Sequence, residues 1–91
     1  MEPTQAQLGA VIRHLRTKRE LTVEGLAATA GIHWTYLSGI ERGRRNPTWK
    51  VLAAIARSLD VEISELARLA EELADQDKHN DKRRARQDSN L

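Results

Sequence analysis

Three arginines and a run of hydrogen-bonding side chains crowd the segment WTYLSGIERGRRNPT, from Trp34 to Thr48. Thr35, Ser38 and Asn46 can donate and accept, while Arg42, Arg44 and Arg45 supply fixed positive charge. Such a set recognises an anionic, hydrogen-bonding surface without making or breaking bonds. Nothing else in the chain argues for catalysis. His14, His33 and His79 are too dispersed for a metal site, no cysteine is present, and no nucleophile, base and orienting group assemble.

The pattern around these residues says what must hold them. Leu26, Ala27 and Ala30 lie on one helical face, Gly31 breaks the run, and Ile32, Leu37 and Ile40 resume it. Two short helices thus share one apolar seam. Ala27 is small where the second helix crosses close to the first, and Gly31 can take the positive φ of the turn at little steric cost. Burying Leu37 and Ile40 turns Trp34, Thr35, Ser38 and Gly39 outward, with Arg42 following along that face. A short apolar helix, a glycine turn and a helix with a polar outer face is how proteins present a helix to DNA.

Thr4 and Gln7 have capping-box spacing, and Leu8, Val11, Ile12 and Leu15 recur at three and four, predicting a first helix over 5–19 in which Gly9 permits close packing. Thr22 caps the second helix, with Glu24 in its first turn. The third runs from Trp34 to Glu41, behind His33 in the cap position and ahead of Gly43 as a stop signal. Thr48 caps a fourth helix whose buried face is Val51, Leu52, Ile55, Ala56 and Leu59. A fifth begins near Ile63, where Ile63, Leu66, Ala67, Leu69, Ala70 and Leu73 form a stripe longer than closing a small core needs. After Ala74 the composition changes to DQDKHNDKRRARQDSNL, which cannot bury enough surface to offset chain entropy. The expected architecture is all-α: a compact five-helix domain over 1–74 and a disordered, or at most fraying helical, charged tail over 75–91.

The phrases IRHLRTKRELT, GLAATAGI, TYLSGIERGRRNPT and VLAAIARSLDVEISEL stand in family order and at family spacing. Over roughly Leu8 to Leu69 the chain resembles the lambda-repressor-like helix-turn-helix domains of the Cro/cI type, the XRE family. TYLSGIERGRRNPT also resembles the controller proteins of restriction-modification systems. The resemblance implies a third helix lying in the major groove, with Trp34, Thr35, Ser38 and Gly39 at the base-reading positions. Thr35 can bond to several bases or offer its methyl to thymine. Trp34 either packs on thymine methyls and sugars or seals the edge of the core. Gly39 reads nothing but lets a backbone approach closely. Phosphate contacts fall to Arg42, Arg44, Arg45, Asn46 and the start of the fourth helix at Thr48, while Tyr36 packs with or without one. The family often has a phosphate-holding glutamine where this chain has Val23, so the backbone amide, Thr22 or the arginine loop must compensate. Arg16 and Glu41 stand where the family places a partly buried ion pair. Leu69, Ala70 and Leu73 are the candidates for a dimer interface, and Ile63 and Leu66 for core.

Ninety-one residues allow one domain, small enough that dimerisation would aid its stability. The net charge of +2 is modest but unevenly spread: Met1 to Pro47 holds seven Lys or Arg against four acids, and Ser64 to Asp77 one Arg against five. The basic excess sits with the helix-turn-helix, as phosphate binding requires. The KRRAR run at Lys82 to Arg86 is either a solvated tail or a salt-sensitive contact. No run approaches the roughly 18 apolar residues of a membrane helix, and MEPTQAQ lacks the features of a signal peptide, so a cytoplasmic location is expected. The expected function is a sequence-specific double-stranded DNA-binding regulator, a homodimer on a palindromic operator, with no cofactor, metal or evident small-molecule effector. The alternative is a protein-interaction module on the same scaffold, with the third-helix face docking a protein. Gly39 and the missing glutamine at Val23 keep that reading open.

Overall fold

The computed structural model describes the backbone of residues 2–89 and the side chains of residues 2–77. It contains helices α1 (Gln5–Lys18), α2 (Val23–Ala30), α3 (Trp34–Glu41), α4 (Trp49–Ser58) and α5 (Ile63–Ser89), with no strand among the described residues. No helix there is long and apolar enough to cross a membrane. The expected all-α, five-helix architecture is what the chain adopts.

Local chemistry sets where each helix begins. Thr4 Oγ1 accepts from the Gln7 amide while Gln7 Oε1 accepts from the Thr4 amide, a complete capping box. Thr22 and Thr48 accept from the Gly25 and Val51 amides in the same way. His33 does this work for α3 with an imidazole: Nδ1 accepts from the Thr35 amide at 3.2 Å.

The helix ends are equally regular. After α1, α2, α3 and α4 the chain takes one left-handed residue, at Glu20, Gly31, Gly43 and Asp60. Each time the following amide bonds back across the last turn, as Leu21 does to the Arg16 carbonyl and Val61 to that of Ala56. Four exits thus share one geometry, although only two of them use glycine.

Ile12, Leu26, Leu37, Ile40, Ile55, Leu59 and Leu66 are fully buried, so every helix contributes to one core. α1 packs on α3 and α5, α2 on α3 and α4, and α4 on α5. Past Ala74, α5 continues without a break, and Asp77 Oδ2 accepts from Gln7 Nε2 at 2.9 Å. The remaining expectations for the tail, including the KRRAR run, lie outside the described side chains.

Two contacts hold α3 against α1. A Cβ at Gly9 would stand 2.2 Å from the Ile40 carbonyl oxygen and 2.7 Å from that of Glu41, so only glycine allows the crossing. Beside it, Arg16 Nε donates to Glu41 Oε2 at 2.7 Å, Nη2 to Oε1 at 3.0 Å, and Nη1 to the Leu21 carbonyl at 2.8 Å. The two side chains are 14% and 6% exposed, and the carboxylate's hydrogen bonds raise the Arg16 guanidinium above its usual range. The expected ion pair is therefore present, two-pronged and largely buried. Arg16→Ala leaves the Glu41 charge without its partner and should lower the free energy of unfolding by about 3 kcal/mol. Urea titration followed by circular dichroism measures this, and an unchanged midpoint would strip the pair of its structural role.

Candidate nucleic-acid interface

Because α3 buries Leu37 and Ile40 completely, its other side is left to solvent. Trp34 and Thr35 are exposed at its first turn, and Ser38 and Gly39 are half-buried one turn later. Trp34 is 48% exposed and stacks on His33, with ring centroids 5.9 Å apart and planes inclined by 27°.

Thr35 is more constrained than its exposure suggests. His33 Nδ1 already accepts from the Thr35 amide and lies 2.7 Å from Thr35 Oγ1. A ring nitrogen that accepts carries no proton, so the hydroxyl donates to it as well. Thr35 therefore presents lone pairs and a methyl group outward.

The loop after α3 folds back on the helix. The Arg44 and Arg45 amides both donate to the Gly39 carbonyl, at 2.8 and 3.2 Å. Arg42, Arg44, Arg45 and Asn46 are all exposed. Arg45 does not simply project into solvent, since its Cζ lies 5.8 Å from the centroid of the Tyr36 ring. Tyr36 itself is half-buried and packs on the core. The space in front of Gly39 is occupied: a Cβ there would meet Arg45 Cγ at 2.6 Å. The close backbone approach expected at Gly39 thus meets the stem of an arginine.

Thr22 and Thr48 stand exposed with their hydroxyls engaged as caps, leaving the first amides of α2 and α4 at the surface. Val23 packs on the core. Next to Thr48, Trp49 is 71% exposed, the most solvent-facing large apolar side chain described. The residue pattern alone does not set it apart, because an aromatic two residues ahead of Val51 and three ahead of Leu52 blends into the apolar run of α4. Its signal was its position on the margin of the stripe formed by Leu52, Ile55 and Leu59.

On α5, Leu69 and Leu73 are half-buried and line a groove of about 430 Å³ with Ala10, Val11 and His14 of α1. Ala70, grouped with them from the sequence, is 1% exposed and belongs to the core, where it lies with Leu8 of α1 and Leu52 of α4 rather than along the groove. Arg68 is bound to Glu65 and Glu72 on its own helix, which leaves the described part of α5 acidic in balance.

Comparison with known proteins agrees with this geometry. A family model described as a helix-turn-helix domain matches residues 7–69. The uncharacterized HTH-type transcriptional regulator y4dJ of Sinorhizobium fredii is 42% identical over 59 residues, 65% of this chain and 77% of that protein. The restriction-modification controller protein C.AhdI from Aeromonas hydrophila superposes with a TM-score of 0.67 at 37% identity, over 68% of this chain and 94% of that one. SinR, a master regulator for biofilm formation solved in complex with DNA, superposes with a TM-score of 0.62 at 33% identity, over 65% and 95% of the two chains. Three further curated relatives are longer proteins, of which this chain spans 40%, 40% and 50%. Matched in sequence over most of its length and in fold to proteins of this kind, the chain belongs to the helix-turn-helix domain family, among XRE-like transcriptional regulators rather than enzymes.

Proposed function

We propose that the protein is a sequence-specific regulator that binds double-stranded DNA as a homodimer, with α3 in the major groove of each half of a palindromic operator. One observation carries this reading: α3 buries Leu37 and Ile40 completely yet keeps Trp34 and Thr35 exposed, a polar face the fold does not need. SinR, which superposes on this chain, was solved with DNA, and the relatives are named as regulators and controllers.

Roles follow from position. Thr35, with its hydroxyl proton spent on His33, accepts from adenine or cytosine amino groups or packs its methyl on thymine. Trp34 and Ser38 complete the side-chain readers of α3. Arg42, Arg44, Arg45 and Asn46 take phosphates, as do the first amides of α2 and α4 beside Thr22 and Thr48. Tyr36 adds a hydroxyl at the same rim, and Trp49 an apolar surface for a sugar. Two copies paired through Leu69 and Leu73 would present two recognition helices, and half-sites one helical turn of DNA apart call for a spacing of about 34 Å between them. Regulation then works by occluding or recruiting polymerase, in a cytoplasmic setting.

Salt titration of binding to mixed-sequence duplex tests the DNA reading. The log-log slope should be about −0.9 for each phosphate neutralised, and a slope near zero would overturn it in favour of a protein-docking module. Thr35→Ala should cost roughly 1 to 3 kcal/mol at one operator position and little elsewhere. Equal losses over every operator variant would remove Thr35 from base reading. Leu73→Asp should yield monomers by light scattering with helix content nearly intact, whereas an unchanged dimer would move the interface elsewhere.

A further inference from the structure

We infer that His33 is a positioning residue that sets specificity through Thr35: its protonation state fixes whether the Thr35 hydroxyl accepts from a base or donates to one, so the base preferred there changes with pH. The inference rests on the DNA-binding reading above and deepens it, because it concerns how the Thr35 position is regulated.

Two bonds on one atom set the starting state. His33 Nδ1 receives the Thr35 amide at 3.2 Å, and a backbone amide can only donate, so the ring carries its proton on Nε2. The Thr35 hydroxyl, 2.7 Å from the same nitrogen, must then point its hydrogen at it. Only oxygen lone pairs are left for an outside partner, and these suit the amino groups of adenine and cytosine. The caps of α1, α2 and α4 are threonine hydroxyls, which do not titrate. The cap of α3 is exposed and is an imidazole, the side chain that exchanges its charge between about pH 5 and 8.

Uptake of one proton from solvent at Nδ1 reverses the pair. An imidazolium has a hydrogen on each nitrogen and no acceptor, so the bond from the Thr35 amide is lost and Nδ1 donates to Thr35 Oγ1 across the same gap. The hydroxyl hydrogen is released and turns outward. Thr35 then offers a donor, which suits guanine O6 and thymine O4. Stacking on Trp34 keeps the ring beside Thr35 in both states. The charged groups of the neighbouring elements are engaged elsewhere. α1 meets α3 at its opposite end through Arg16 and Glu41, and Glu24, the one titratable group of α2, stands in that helix's first turn within the field of Arg16. On the α3 side, Arg45 lies over Tyr36 one turn on. Among the described residues no ion pair joins His33 to any of them.

Selection of bound duplexes from a random pool at about pH 8 and about pH 5.5, by the parent, His33→Asn and Thr35→Val, tests the assignment. At one position of each half-site the parent should enrich adenine or cytosine at the higher pH and guanine or thymine at the lower. The ratio should change roughly 2- to 12-fold, the range set by one hydrogen bond gained or lost. His33→Asn caps α3 with a carbonyl oxygen that does not titrate, and should keep the parent's high-pH motif at both values. Thr35→Val, which has no hydroxyl, should show no change with pH. In the free protein, the nitrogen NMR shifts of the His33 ring should show Nδ1 bare at the higher pH and protonated on acidification. A proton on Nδ1 at the higher pH would overturn the inference without reference to DNA. If the parent selects one motif at both values, or either variant shifts as the parent does, the inference fails while the DNA reading stands. If the parent enriches no sequence, both fall together.

Discussion

The close crossing of α1 over the end of α3 is the constraint on which the rest of the structure depends. An eight-residue helix has too few internal hydrogen bonds to persist alone in water, so α3 is held where its neighbours put it. Gly9 lets the α1 backbone reach the Ile40 and Glu41 carbonyls, and the Arg16–Glu41 fork locks the same end with directed bonds. Arg16 also holds the Leu21 carbonyl, which ties the turn before α2 to the same point. The charge that anchors the outer helix thus also positions the helix-turn-helix entrance. No buried side-chain polar atom among the described residues lacks a partner, so this polar network is compatible with the apolar core around it.

The outward face of α3 is assembled from both of its ends. At the start, the His33 imidazole caps the helix and at once accepts a hydrogen bond from the Thr35 hydroxyl, so capping decides what Thr35 can offer. At the finish, the left-handed residue Gly43 would bring a Cβ within 2.8 Å of Ala6 Cα, so the turn is pressed against α1 as well. That turn returns Arg44 and Arg45 to the Gly39 carbonyl. Stability and recognition therefore use the same atoms: the hydrogen bonds that end the helix are those that aim its arginines.

Charge is distributed to match. Three exposed arginines, Arg42, Arg44 and Arg45, stand together at the end of α3, whereas the described part of α5 balances acidic, its Arg68 held by Glu65 and Glu72. An anionic partner is drawn to one side of the domain and repelled from the other. The apolar groove between α1 and α5, lined by Leu69 and Leu73, lies on the acidic helix, apart from the arginine loop. A second copy bound there would leave the basic face clear.

Local physics made most of the fold legible from the sequence. The Thr4–Gln7 box, the caps at Thr22 and Thr48 and the stops at Gly31 and Gly43 act over three to five residues, so residue order alone determined where four helices begin or end. The periodic apolar residues likewise determined the seam between α2 and α3. Tertiary structure decided what depends on residues far apart in the chain or on the path of one long side chain. Ala70 went to the core, Gln7 met Asp77 across seventy positions, Trp49 was left in solvent, and the Arg45 stem filled the space before Gly39. A pattern of residue types gives the face on which a side chain starts; where its far end comes to rest is set by the neighbours that packing brings to it.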